Sequence, residues 1–374
     1  MNERDARMAL CCVIEPGSRD EAALVAEHGA LAVWRSLLKP TAVSRWAARA
    51  QGLDLVRIRQ ATTRFGLRFI VPSDDEWPAR LGDLGRAEPV QDMGGVPFGL
   101  WLKGEVPLAD AVDRSIAIVG SRACTAYGQS VAGDLAAGLG AHGISTVSGG
   151  AYGIDAAAHA GALAADAVTI AAMAGGLDKP YPVGNSALLQ RVARHGLLVS
   201  ELPPGEHPTR VRFLARNRVI AALAPATVMV EAALRSGARN TVSWANACQR
   251  MVMAVPGPVH SATSATPHRL IRDAEAVLCT GVEDVLELVE PVGTRSSRRP
   301  DQHRRLDELS GDGLAVYEAL PARGFMAAGE VSLRAGVPLG RCLGLLDRLA
   351  EQGFITQGPD GWRLPRQPVT RAGD

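Results

Sequence analysis

Between residues 113 and 290 short apolar runs alternate with helical stretches, and few folds accept that rhythm. The runs are Ser115–Val119, Ser145–Ser148, Val168–Ala174, Leu197–Glu201, Thr227–Glu231, Met251–Val255 and Ala276–Cys279. Most are near-continuously apolar, as strands are when both faces of their sheet are covered. Between them lie segments such as Gly128–His142, where Val131, Leu135 and Leu139 recur at four-residue spacing. The alternation predicts an α/β domain built on a parallel sheet. Ligands of such sheets bind at the carboxyl ends of the strands.

The flanks read differently. Residues 1–65 carry helical periodicity, with Trp34, Leu37 and Trp46 among the apolar positions, and predict a helical domain. Residues 66–112 form a bridge with short strands at Phe69–Val71 and Gly99–Leu102. Residues 291–306 have five arginines and one acid in GTRSSRRPDQHRR, with no apolar periodicity, and predict an Arg-rich linker. Residues 307–374 show three helical patterns, then Phe354–Thr356, a Gly-Pro-Asp-Gly turn and Trp362–Leu364, the order of a winged helix.

Composition narrows the class. Net charge is +1, so any nucleic-acid surface must be a local patch. The six cysteines form no C-x-x-C pair and read as reduced thiols, which fits a cytoplasmic protein without a metal site. No apolar run reaches the ~18 residues of a membrane span.

Four segments are expected on one sheet edge: Gly120-Ser121-Arg122; Ser148–Asp155, with Gly149, Gly150 and Gly153; Gly175–Pro182, with Lys179; and Pro208–Arg218, expected as a loop before a helix starting near Asn217. A strand ending in a glycine turn at a helix N-terminus is an anion site, and Arg122 adds a guanidinium suited to phosphate. The loop fits neither the dinucleotide nor the P-loop fingerprint. Phe213 stands among arginines, either as a core residue or as a stacking platform in a basic groove. Asp178 and Glu201 read as loop-ordering acids, and His159 as a structural hydrogen-bonding group.

These motifs, GSR-x-x-T-x-YG at 120–128, SGG-x-x-GID-x-x-AH at 148–159, G-x-D-x-x-YP at 176–182, SE-x-P at 200–203, F-x-x-RNR-x-I at 213–220, SG-x-x-x-T at 236–241 and VPG at 255–257, resemble those of the DNA-processing protein A (Smf) family. The resemblance implies an extended Rossmann-like domain over 66–290, between the helical domain and the winged helix. It implies a cytoplasmic, non-catalytic protein that binds single-stranded DNA, protects incoming strands in natural transformation and loads RecA recombinase, as a homodimer through the Rossmann domain. No cofactor is implied. The DNA-contacting positions carried over are Arg122, Lys179, Phe213, Arg216, Asn217 and Arg218, with Gly120, Ser121, Gly149, Gly150 and Gly153 shaping the pocket. Thr266-Pro267-His268 departs from the family pattern after VPG.

Two other readings compete. A Rossmann nucleotide phosphoribohydrolase needs a PGG-x-GT-x-x-E signature, but Trp244 stands where its glutamate belongs. A pure adaptor would bind proteins through its flanking domains and leave the sheet pocket unused.

Overall fold

A computed structural model describes residues 1–41, 44–234, 236–289 and 309–365. The expected Arg-rich linker at 291–306 lies outside them. The chain divides into two compact units, residues 1–295 and 296–374.

The first unit is built on a nine-stranded sheet. In chain order the strands are β1 (Arg68–Ile70), β2 (Leu100–Lys103), β3 (Ser115–Val119), β4 (Ser145–Ser148), β5 (Thr169–Ala172), β6 (Leu197–Ser200), β7 (Ala226–Met229), β8 (Met251–Ala254) and β9 (Val277–Leu278). Their spatial order is β1-β2-β6-β5-β4-β3-β7-β8-β9. From β6 to β9 every pairing is parallel. The bridge adds β1 and β2, and both of their pairings are antiparallel. The expected parallel sheet therefore carries an antiparallel edge.

Side chains alternate across the sheet, so each strand feeds two cores. Ile116, Ile118, Val228 and Met253 pack with Leu135, Leu139 and Ile154, from helices Ala126–Ala141 and Ile154–Ala164. Ala117, Val119, Val147 and Met229 point the other way, onto helices Arg210–Leu223 and Ala238–Ala247. This is a three-layer sandwich.

The strand order reverses between β3 and its neighbours β4 and β7, so the chain's first parallel strand lies near the sheet centre. Helix Arg210–Leu223 starts a full turn and more before the expected Asn217. Thr209 caps it, its side chain accepting from the Arg212 amide at 3.3 Å. That earlier start decides where its arginines go.

Residues 1–65 form helices Glu3–Val13, Arg19–His28, Ala30–Leu37, Ala47–Gln51 and Leu55–Arg64 around Leu10, Val13, Trp34 and Trp46, within the first unit. In the second unit, helices Gly311–Ala319, Ala328–Ala335 and Leu339–Glu351 and a hairpin of Thr356–Gly358 with Gly361–Arg363 enclose Val316, Val331, Leu346 and Trp362.

Candidate nucleic-acid interface

The loop leaving β3 was expected to offer a helix N-terminus to an external anion. The structure fills that position from within. Glu231, just past the end of β7, is 1% exposed and points its carboxylate at the start of helix Ala126–Ala141. It accepts from the Thr125 amide at 2.8 Å and the Thr125 hydroxyl at 2.6 Å, and from the Thr263 hydroxyl at 3.0 Å. A carboxylate here satisfies an otherwise orphaned N–H and meets the positive end of the helix dipole. The expected anion site is thus the protein's own ion contact. What the loop leaves outside is the Arg122 side chain, whose guanidinium lies 4.6 Å over the Phe213 ring.

The loop leaving β4 is also internally satisfied. Asp155 accepts from the Gly149 amide at 3.1 Å and the Ala151 amide at 3.4 Å. Burial raises its pKa, and Arg216 opposes that rise. Gly153 has φ of +76°, and a Cβ there would run into the carbonyls of Ser121 and Arg122. Glycine is needed for the two loops to touch.

Beneath these loops lies Arg216. It donates to the Gly149 carbonyl at 2.6 Å and to the Ala172 carbonyl, at the ends of β4 and β5. Burial pushes its pKa down to about 10, partly offset by Asp155. Carbonyls at parallel strand ends lack ladder partners, so a buried guanidinium there is a structural brace.

Above this floor opens a cavity of about 240 Å³, lined by Arg122, Gly149, Met173, Lys179, Tyr181 and Phe213 among others. It covers the carboxyl ends of β3 to β6. The Tyr181 and Phe213 rings lie 6.0 Å apart, tilted by 48°. Lys179 and Arg122 are exposed. Of the acids nearby, Asp178 is committed to the Gly205 amide at 2.8 Å. Glu206, on the rim, pairs with Arg212 at 2.6 Å. Arg212 also holds Glu15 of the N-terminal region at 2.8 Å. Those hydrogen bonds, Glu15 foremost, raise its pKa. The site is an apolar slot with cations at its mouth and its acids already engaged. It suits a planar ring carrying a phosphate.

Arg122, Gly149, Lys179 and Phe213 of the expected residues meet in the cavity wall. Gly120, Ser121, Gly150, Gly153 and Arg216 shape its loops and floor without lining it. Asn217 and Arg218 do not reach it. Asn217 donates to the Asn240 side-chain oxygen at 3.1 Å. Arg218 is 2% exposed and locked to the Glu201 carboxylate through both terminal nitrogens, one of them at 2.6 Å. Arg216, Asn217 and Arg218, expected to face a ligand, are instead buried in the middle of a helix packed under the sheet edge, with the Arg216 guanidinium 5.8 Å from the centre of the Phe213 ring. Tyr181 and Met173 were not singled out. Tyr181 carried a signal, an aromatic two residues from Lys179 in a chain with 4% aromatics. His159 is fully buried, its Nδ1 2.7 Å from the Thr169 hydroxyl. That hydroxyl donates to the Thr146 carbonyl at 3.0 Å, so Nδ1 carries the proton. Burial lowers the pKa to about 3. Trp244 is fully buried in the core.

Comparison with known proteins bears on this arrangement. The model of the family DNA recombination-mediator protein A matches residues 68–290. A Mycobacterium tuberculosis protein named DNA processing protein DprA is 47% identical over 314 residues, 83% of this chain and 80% of its own length. Protein Smf of Escherichia coli K12 is 32% identical, over 87% and 91% of the two chains. The crystal structure of DNA processing protein A from Streptococcus pneumoniae superposes with a TM-score of 0.63 at 28% identity, covering 76% of this chain and 97% of that one. DNA processing protein A from Helicobacter pylori, described for its single-stranded DNA binding mode, gives 0.50 at 26% identity, over 59% and 95%.

Proposed function

The chain belongs to the DNA recombination-mediator protein A family, and we propose that it grips single-stranded DNA in the slot over β3 to β6. The observation that carries the proposal is the stack of Arg122 on Phe213 at the mouth of an apolar cavity, with Lys179 and Tyr181 alongside. A base enters the slot and stacks on an aromatic ring, while the two cations hold phosphates. A paired duplex presents its bases edge-on inside the helix and cannot fill it. The single-strand binding described for the Helicobacter pylori relative supports this choice.

The wider role follows the family: protection of incoming strands in natural transformation and their delivery to RecA recombinase, by a cytoplasmic protein. No helix among the described residues is long and apolar enough to cross a membrane. The role is binding rather than catalysis, and the buried Trp244 in place of a hydrolase glutamate supports that. Homodimerisation through the Rossmann domain is supported by the β9 edge, where Val277 and Leu278 are exposed, with Met251 exposed on β8. The helix-helix-helix-hairpin order at the C-terminus supports the winged-helix reading.

Fluorescence anisotropy with labelled single- and double-stranded oligonucleotides tests the core of this. Single strands bind tighter, and Arg122→Ala weakens them roughly tenfold or more, the worth of a lost charge-assisted contact. Equal affinity for both substrates, or an Arg122→Ala variant that binds like the parent, refutes the reading.

A further inference from the structure

We infer that Glu231 is the positioning residue for Arg122, a role that rests on the proposed DNA slot. The β3 loop is fastened at both ends to this one residue. At its start, the Ser121 amide donates to the Glu231 backbone carbonyl at 2.6 Å. At its end, the Thr125 amide and hydroxyl donate to the Glu231 carboxylate at 2.8 and 2.6 Å. Arg122 lies between these two anchors and has no carboxylate partner of its own among the described residues. Glu231 does not line the slot, so it acts only through the loop.

The anchorage is built into neighbouring residues as well. The Thr125 hydroxyl that donates to Glu231 also accepts from the Gly128 amide at 3.1 Å, so one carboxylate orders both the loop and the first helical turn. A Cβ at Gly128 would collide with the carboxylate, which therefore requires glycine there. Thr263, from the segment after β8, donates to the same carboxylate at 3.0 Å. The loop leaving β3 is thereby tied to chain that follows β7 and β8. A long flexible side chain such as Arg122 binds phosphate well only if little freedom remains to be lost on binding. Its stack on Phe213 and the fixed loop beneath it supply that preorganisation.

A double-mutant cycle on the full-length protein tests the assignment. Glu231→Gln keeps the backbone anchor and the side-chain volume but removes the charge. Single-strand affinity should fall roughly fivefold. The Arg122→Ala/Glu231→Gln pair should bind no weaker than Arg122→Ala alone, because the loop then has no guanidinium to place. With Lys179→Ala the losses should multiply, a contrast that general softening of the fold would not produce. Thr125→Val, which removes one anchor outside the core, should give the same pattern and stands in if Glu231→Gln fails to fold. If Arg122→Ala weakens binding while Glu231→Gln and Thr125→Val leave it unchanged, or if their losses multiply with that of Arg122→Ala, the positioning role is refuted and the slot survives. If Arg122→Ala itself has no effect, both fall.

Discussion

Replacing Arg218 with methionine separates two uses of arginine in this chain, a buried ion pair and an exposed cation at the slot mouth. Arg218 is 2% exposed and its Glu201 partner 9%. Removing the guanidinium leaves a carboxylate buried against apolar neighbours, with both of its hydrogen-bonded donors gone. Loss of one partner of a buried pair costs about 3–5 kcal/mol. A domain of this size melts about 2–4 °C lower per kcal/mol, so Tm should drop by roughly 6–20 °C. Thermal unfolding followed by the fluorescence of the buried Trp101 and Trp244 reads this directly. Single-strand affinity, measured well below the new Tm, should stay within twofold of the parent. Adding Glu201→Met should restore most of the loss, since two apolar side chains can replace a buried pair at little cost. Arg122→Ala should behave in the opposite way, with weak binding and an unchanged Tm. A Tm within about 2 °C of the parent for Arg218→Met, combined with impaired binding, would place this arginine in the interface and refute the argument from burial.

Phe213→Ala should weaken single-strand binding by about 1–3 kcal/mol, the worth of a stacked base, and a titration matching the parent would return the ring to a packing role. Affinity should fall with rising salt, and Arg122→Ala should flatten the slope of log K against log salt by about 0.7 for the phosphate it releases; an unchanged slope contradicts the contact. Gly153→Ala should lower affinity while leaving β3 and β4 intact, because a Cβ at φ of +76° presses on the carbonyls of the Arg122 loop; anisotropy alongside circular dichroism checks it. His159 is neutral when folded, its pKa lowered from 6.5 to about 3. The unfolded chain takes up that proton first, so the stability this group protects is intact above pH 6.5 and is lost as pH falls toward 3. Urea unfolding across that range should show His159→Gln with a flatter acid limb, and parallel limbs would refute it.

Much of this architecture was readable from residue order. Runs such as Ser115–Val119 and Leu197–Ser200 are apolar on both faces, and such strands have few alternatives to a covered sheet. The orientation of β1 and β2 was not readable, because pairing direction is set by the route of the bridge and not by side-chain pattern. Arg216 and Arg218 misled for a physical reason. Arginine is normally solvated, and the compensating groups lie far away in sequence: Glu201 for one, and the carbonyls of Gly149 and Ala172 for the other. A local signal did exist. Thr209 ahead of a run without glycine or proline is an N-cap, and starting the helix there would have turned the RNR triplet inward. Glu231 carried a fainter sign, a lone acid closing an apolar strand.

Arg212 gives the N-terminal helices a consequence of their own. Its guanidinium joins Glu15, near the chain start, to Glu206 on the slot rim. The helical segment is therefore tied to the slot rim through Arg212 and is not a detachable appendage. Exchange of this segment between relatives would succeed only when the incoming helices bring an acid to the position of Glu15. Where they do not, selection on one element would have to be answered by change in the other, and the two would drift as a linked pair.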